Sequence, residues 1–270
     1  MRLQTIFGAM GGVLLITGTA LAEPLVTGSL TLYYNFDSVG TTVADGSGHG
    51  YNGSVNGTVN EVAGIRGKAA EFGTSGLSYI DVNGPGIASA DIPTAGVTIA
   101  AFIELAGLSD HGEIFNARSA ASTFIIHSEI RTTPSFRFVL RDGTGTNIGN
   151  FFYGDQAGQT PPVIGQWQHV AMTYDKAAAK MAIYVNGNLG SEFAVSNAAD
   201  IADNWGMGAR VGATVDDARP FNGQMDEFYL FTRPLTGDEI KVLAAVPEPS
   251  SLVLLAGAAL ASLVFWRRRK

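Results

Sequence analysis

The chain has no cysteine. That excludes a disulfide framework, a thiolate metal site and a cysteine nucleophile. A domain of this length can bury enough apolar surface to hold without staples. Charge is also sparse: Asp, Glu, Lys and Arg together make up 15% of 270 residues. Between Glu23 and Ala245 there is no long helical periodicity and no internal repeat. The G-x-S-x-G, H-E-x-x-H and P-loop patterns are missing, which removes the commonest signatures of hydrolases and nucleotide enzymes. His49, His111 and His127 are scattered, without metal-ligand spacing.

What charge there is lies unevenly. Residues 1–22 hold one basic residue and no acid, and residues 250–270 hold four basic residues and no acid. All 24 acidic residues and only 12 of the 17 basic ones lie between, so the middle of the chain carries −12. Such a domain repels nucleic acid and anionic lipid, and suits cations or neutral glycans.

Both ends read as addresses. Arg2, an apolar run from Ile6 to Ile16 and Ala20-Leu21-Ala22 form the n-region, h-region and cleavage site of a secretory signal peptide over residues 1–22. At the other end, Val246-Pro247-Glu248-Pro249 breaks regular structure. An uncharged stretch from Ser250 to Trp266 follows, then Arg267-Arg268-Arg269-Lys270. As a helix, 250–266 would reach roughly 25 Å, the short end of a membrane span. The basic cluster would stay cytoplasmic, leaving the domain outside. This order resembles the PEP-CTERM sorting signal of Gram-negative bacteria. The resemblance implies recognition by an exosortase, transient residence in the inner membrane, and then the cell surface or the extracellular matrix, usually alongside exopolysaccharide production.

The body, residues 23–245, is rich in turns: 34 glycines supply the positive φ that tight turns need. Leu30–Phe36 alternates, with Leu30, Leu32, Tyr34 and Phe36 on one face and Thr31, Tyr33 and Asn35 on the other, as in a half-buried strand. Thr98–Ile103 is rich in β-formers. Arg137–Arg141 ends in Asp142-Gly143, and Met181–Val185 runs into Asn186-Gly187, both hairpin signals. Trp167–Tyr174 sets Trp167, His169, Ala171 and Thr173 against Gln168, Val170, Met172 and Tyr174. These features predict an all-β antiparallel sandwich. Thr236 and Glu239 have capping-box spacing ahead of Ile240, Val242 and Leu243, which predicts one short helix at the end of the domain.

Several stretches in sequence order resemble the concanavalin A-like, laminin G-like jelly roll. They include Leu32-Tyr33-Tyr34-Asn35-Phe36-Asp37, Asp45-Gly46-Ser47-Gly48-His49-Gly50-Tyr51-Asn52-Gly53 and Gly64-Ile65-Arg66-Gly67-Lys68-Ala69-Ala70-Glu71-Phe72. Trp167-Gln168-His169-Val170-Ala171 and Phe221-Asn222-Gly223-Gln224-Met225-Asp226-Glu227-Phe228 follow. Phe102 departs from the Trp the family often has.

The resemblance implies a calcium ion, for which Asp37, Asp45 and Asp226 are the candidate ligands. Calcium takes six to eight hard oxygens, and carboxylates on Gly-rich turns can offer them; the same residues can instead cap turns. A glycosidase would need two carboxylates about 5–9 Å apart across a sugar. The E-x-D-x-x-E type of strand motif is missing, and a regular strand would point adjacent Asp226 and Glu227 to opposite faces. Trp167 and His169 read as a core Trp with a hydrogen-bonded His. Phe151, Phe152, Tyr153 and Asp155, and Trp205 near Asn204, sit by Gly-rich loops where aromatics can stack on sugars. The expectation is therefore an exported, non-catalytic surface or matrix protein that binds polysaccharide or adheres. The alternatives are a polysaccharide-cleaving enzyme on the same fold and a purely structural surface protein.

Overall fold

The computed structural model describes residues 26–82 and 86–245. The signal peptide expected over 1–22, and the sorting tail over 246–270 with its membrane segment at 250–266, lie outside the described residues. Among the described residues no helix is long and apolar enough to cross a membrane.

The described residues form sixteen strands, one short 3-10 helix (Ser89–Asp91) and one α-helix. The first six strands are β1 (Leu30–Tyr34), β2 (Thr42–Val43), β3 (Gly53–Asn56), β4 (Asn60–Ala63), β5 (Lys68–Phe72) and β6 (Tyr79–Val82). Then come β7 (Gly96–Leu105), β8 (Gly112–Ala120), β9 (Thr123–Arg131), β10 (Ser135–Arg141) and β11 (Asn147–Tyr153). The rest are β12 (Trp167–Asp175), β13 (Lys180–Val185), β14 (Asn188–Ala194), β15 (Gly208–Val211) and β16 (Gly223–Phe231), followed by α1 (Gly237–Ala244).

They form two eight-stranded antiparallel sheets. One runs β14-β13-β12-β7-β16-β5-β4, with β1 also on β16; the other runs β11-β10-β9-β8-β15-β6-β3-β2. This is the jelly-roll sandwich that the sequence predicts. Its main core lies between the sheets and includes Phe36, Phe72, Phe115, Phe138, Phe221 and Phe228.

The expected turns are in place. Asn186 and Gly187 have φ of 52° and 75°, so both central residues of the β13–β14 turn are left-handed, as a type I′ hairpin requires. Thr236 caps α1 in a reciprocal box with Glu239.

The structure corrects the first strand. β1 is buried on both faces rather than one. Leu32, Tyr34 and Phe36 enter the main core. Leu30 and Tyr33 enter a second cluster on the outer side of the first sheet, with Tyr229, Phe231, Ile240 and Leu243. A short amphipathic helix laid over the sheet makes this second cluster: Ile240 and Leu243 face inward while Val242 is 47% exposed.

A second departure decides how the site is built. Along one edge of β16, Gly223–Met225 pairs with β5, whereas Phe228–Phe231 pairs with β1. A register shift between Asp226 and Tyr229 separates the halves, and Glu227 there has φ 53°. The bulge breaks the alternation expected of adjacent residues. Asp226 and Glu227 consequently both reach the loop between β4 and β5: Asp226 Oδ2 accepts from Arg66 N, and Glu227 Oε2 from Arg66 Nη1, each at 2.9 Å.

If α1 is held by its buried face, Ile240→Ala should cost about 2–5 kcal/mol in urea unfolding. Val242→Ala, on the exposed side, should stay within about 0.5 kcal/mol. Equal losses would mean the helix is not docked as described.

Candidate functional site

The three aspartates expected as calcium ligands each have a separate task. Both oxygens of Asp45 accept backbone N–H groups: Oδ1 from Tyr33 (3.1 Å) and Ser47 (2.9 Å), and Oδ2 from Tyr51 (2.9 Å). Asp37 Oδ1 accepts from Lys68 N at 2.9 Å, across a close approach that Gly67 permits. A Cβ at residue 67 would stand 2.1 Å from that oxygen. Asp226 Oδ2 accepts from Ile65 N and Arg66 N, both at 2.9 Å, while its Oδ1 is buried without a partner. Burial pushes the Asp226 carboxyl up to about 7. The ligand atoms of the three aspartates do not gather into one group. Most of their oxygens are already satisfied by amides, so the set does not fit an ion that needs six to eight oxygens.

Among the described residues, the one set of three acidic or imidazole groups whose ligand atoms all lie within 4.8 Å is Glu113, His127 and Glu129. The strand-motif search missed it because the pair forms across strands: Glu113 on β8 stands directly opposite Glu129 on β9. All three residues have no exposed surface. Glu129 accepts from Arg137 (2.5 Å), Arg219 (2.9 Å) and Arg131 (3.4 Å). Glu113 Oε2 lies 2.8 Å from His127 Nδ1.

Burial first, and then the charge of Glu129, holds the Glu113 carboxyl well above the usual carboxylate range. Burial, with Arg219, Arg118, Arg137 and Arg141 nearby, drives the His127 imidazole down to about 2. Both shifts disfavour the charged forms, so a hydrogen bond between uncharged groups suits the Glu113–His127 contact better than an ion pair, with Asn116 Nδ2 also 3.2 Å from His127 Nδ1 and Glu129 paired with three arginines.

The loop after β15 seals this cluster. Val215 N donates to Asn116 Oδ1 (2.9 Å), Asp216 pairs with Arg118 (3.0 Å), and Glu113 N donates to the Arg219 carbonyl (3.1 Å). Asp217 and Arg219 hold left-handed φ of 60° and 54° in doing so. Paired carboxylates that flank a scissile sugar bond need room for the sugar and for water; this pair lies under a covering loop.

Trp167 and His169 also differ from expectation. Trp167 is only half-buried. His169 is buried edge-on against Phe102, with centroids 5.0 Å apart, and neither ring nitrogen has a hydrogen-bond partner. Burial, reinforced by Arg66, pushes its imidazole down to about 3.

Two open concavities coincide with the aromatic loops singled out in the sequence. One, about 420 Å³, lies between the segment after β6 and the approach to β15, and is lined by Ser89, Asp203, Asn204 and Trp205. Trp205 is 9% exposed and lies beneath it, with Nε1 donating to the Ala202 carbonyl at 3.2 Å. Asp203 and Asn204 are exposed. The other, about 230 Å³, is lined by Arg131, Ser135, Phe152 and Asp155. There the Arg137 guanidinium lies 5.3 Å from the centre of the partly exposed Phe152 ring.

The sequence profile of the concanavalin A-like lectin/glucanases superfamily matches residues 75–241. The chain belongs to that superfamily. Residues 245–270 match the PEP-CTERM protein-sorting motif, which marks export and membrane-anchored sorting in Gram-negative bacteria. No curated protein matches.

Among solved structures, this concanavalin A-like chain is similar to domain 4 of AbnA, a GH43 extracellular arabinanase from Geobacillus stearothermophilus, in complex with arabinotriose. Identity is 18% and the TM-score 0.56, covering 80% of this chain and 98% of that one. The binding domain of Paraclostridial Mosquitocidal Protein 1 matches at 14% identity and TM-score 0.60, covering 81% of this chain and 52% of that one. A structure of botulinum neurotoxin type C, a toxin whose cell uptake depends on interaction with two ganglioside molecules, matches at 17% and 0.59, covering 81% and 51%. The chain spans about half the length of these two toxin chains. At such identities the likeness establishes the shared fold.

If the aspartates act as amide acceptors, EDTA should leave Tm unchanged; a fall of several degrees would place a cation among them. His169 titrates near 6.5 when unfolded and near 3 when folded. The stability its neutral form contributes is therefore full above about pH 6.5 and is lost as pH falls through that window. His169→Leu removes both unpartnered nitrogens and should stabilise by about 1–3 kcal/mol at about pH 7.5, and by more at about pH 5. Urea unfolding at the two values checks this, and a gain that does not grow toward acid would refute it.

Proposed function

We propose that this exported protein works at the cell surface or in the extracellular matrix as a non-catalytic module that binds polysaccharide. The observation that carries the reading is the contrast between the two kinds of site. The paired carboxylates are sealed and charge-matched, whereas the open concavity at Ser89, Asp203, Asn204 and Trp205 offers hydroxyl, carboxylate and amide groups around an apolar base. Sugars present alternating donors and acceptors on a partly apolar ring, so a few polar groups beside an aromatic residue can orient one. Acidic surroundings favour an uncharged glycan over an anionic one. Support also comes from the similar structures: a domain crystallised with arabinotriose, and a toxin that interacts with gangliosides. An exosortase would process the tail, in keeping with the sorting motif.

The test is binding of the full chain, solubilised in mild detergent, to a panel of immobilised polysaccharides that includes the producing cells' own matrix. Asp203→Ala and Asn204→Ala, both at exposed positions, should weaken binding about tenfold without moving Tm. Failure to bind any glycan would sink the reading. Release of new reducing ends from a bound glycan would replace it with the enzymatic alternative.

A further inference from the structure

The folded domain and the sorting motif share a residue. Ala245 is the C-cap of α1 and also the first residue of the matched motif. Its carbonyl accepts from Arg66 Nη2 at 2.6 Å, and the Leu243 carbonyl accepts from the same nitrogen at 2.7 Å. Nη1 of that guanidinium holds Glu227 Oε2 at 2.9 Å, with side-chain exposures of only 10% and 2%. The guanidinium also lies over the Phe102 ring, 5.2 Å from its centre. Arg66 is thus anchored in the domain on one side, and on the other it grips the chain just ahead of Val246-Pro247-Glu248-Pro249. The Leu243 side chain, wholly buried in the second cluster, pins the same turn from below.

A processing enzyme commonly takes its substrate as an extended strand, with residues on both sides of the cut bond in its groove. Ala245 is already extended (φ −68°, ψ 107°), but Leu243 and Ala244 belong to the last turn of α1 and cannot join it as strand while Arg66 holds the carbonyls of Leu243 and Ala245. We infer that Arg66 is a positioning residue for tail processing: by clamping the end of α1, it makes scission beside Val246–Pro249 depend on opening of that last turn. Cleavage of a transiently opened segment tracks the fraction of molecules open. The clamp unites residues far apart in sequence, from the β4–β5 loop, the β16 bulge and the end of α1. It forms only once these are assembled, and so couples tail release to the state of the fold. The inference rests on the reading of 246–270 as a tail that an exosortase removes.

The experiment is a pulse-chase in the producing cells that follows shortening of the full chain. Arg66→Gln alone would strand the Glu227 carboxylate and risks misfolding; the paired variant Arg66→Gln with Glu227→Gln keeps an acceptor for the two tyrosines without the charge. A separate chain carries about eight inserted Gly and Ser residues between Ala245 and Val246, which moves the motif away from an intact clamp. Ile80→Val, in the main core on β6 of the second sheet and so across the sandwich from α1, is the control for general loss of stability. The paired variant and the insertion should both shorten about tenfold faster than wild type, and the core control at the wild-type rate. Unchanged shortening of the insertion chain would overturn the clamp, as would equal acceleration by Ile80→Val. A wild-type chain that is never shortened, with or without the insertion, would overturn the tail reading and this inference with it.

Discussion

The arrangement depends on one buried ion pair at a place where a sheet changes partners. β16 pairs with β5 along its first half and β1 along its second, and the bulge at Asp226–Glu227 falls in the gap between them. A gap in a sheet edge leaves amides without ladder partners, which is costly when buried. Asp226 fills it by accepting the amides of Ile65 and Arg66, and Glu227 by receiving the Arg66 guanidinium with the hydroxyls of Tyr33 (2.9 Å) and Tyr229 (2.5 Å). Those two rings stack with centroids 4.7 Å apart. Such a cluster contributes little net stability compared with an apolar filling, but breaking one member leaves a buried charge alone. Its effect is to fix where β1, β5 and α1 sit relative to one another.

The second sheet solves a similar problem with arginines gathered around paired glutamates. Its outer side carries Arg118, Arg131, Arg137 and Arg219 around Glu113 and Glu129. Glu129 alone serves three of them, and the loop after β15 closes over the set. Both sheets therefore have their outer sides partly covered, one by a helix and the other by a loop. Open concave surface is left at the ends and margins of the sandwich, where Trp205 and Phe152 lie. Charge on this sheet is thus sealed, while exposed Asp203 and Asn204 and the ring of Phe152 stand open to solvent.

Much of the fold was legible in the sequence because local chemistry dictates it. Asn186-Gly187 could hardly do other than turn, Thr236 and Glu239 capped the helix they announced, and strand alternation holds for Trp167–Tyr174, with Val170, Met172 and Tyr174 in the main core. The site was less legible because it depends on contacts between distant residues. The Glu113–Glu129 pair arises from strand register, which no single segment displays. The shared direction of Asp226 and Glu227 arises from a bulge set by two different neighbours. His169 offered no local sign that its ring would be left without hydrogen bonds. Asp45 caps its own turn through Ser47 N, as its Gly-rich setting already allowed, whereas Asp37 accepts an amide 31 residues away that no local pattern announces. The aromatic loops were found from composition alone, since Gly beside Trp205 and Phe152 marks exposed, shaped backbone.

The cluster on the β16 bulge has a consequence for how this sequence can change. Arg66, Asp226, Glu227, Tyr33 and Tyr229 share partners, so the losses from altering them are not independent. The first change bears nearly the whole penalty and the later ones little. A lineage can leave this arrangement only by exchanging several of the five together, as a switch from polar to apolar filling would. Substitution along the rest of the sandwich carries no such requirement, so these five positions are the ones least free to change singly.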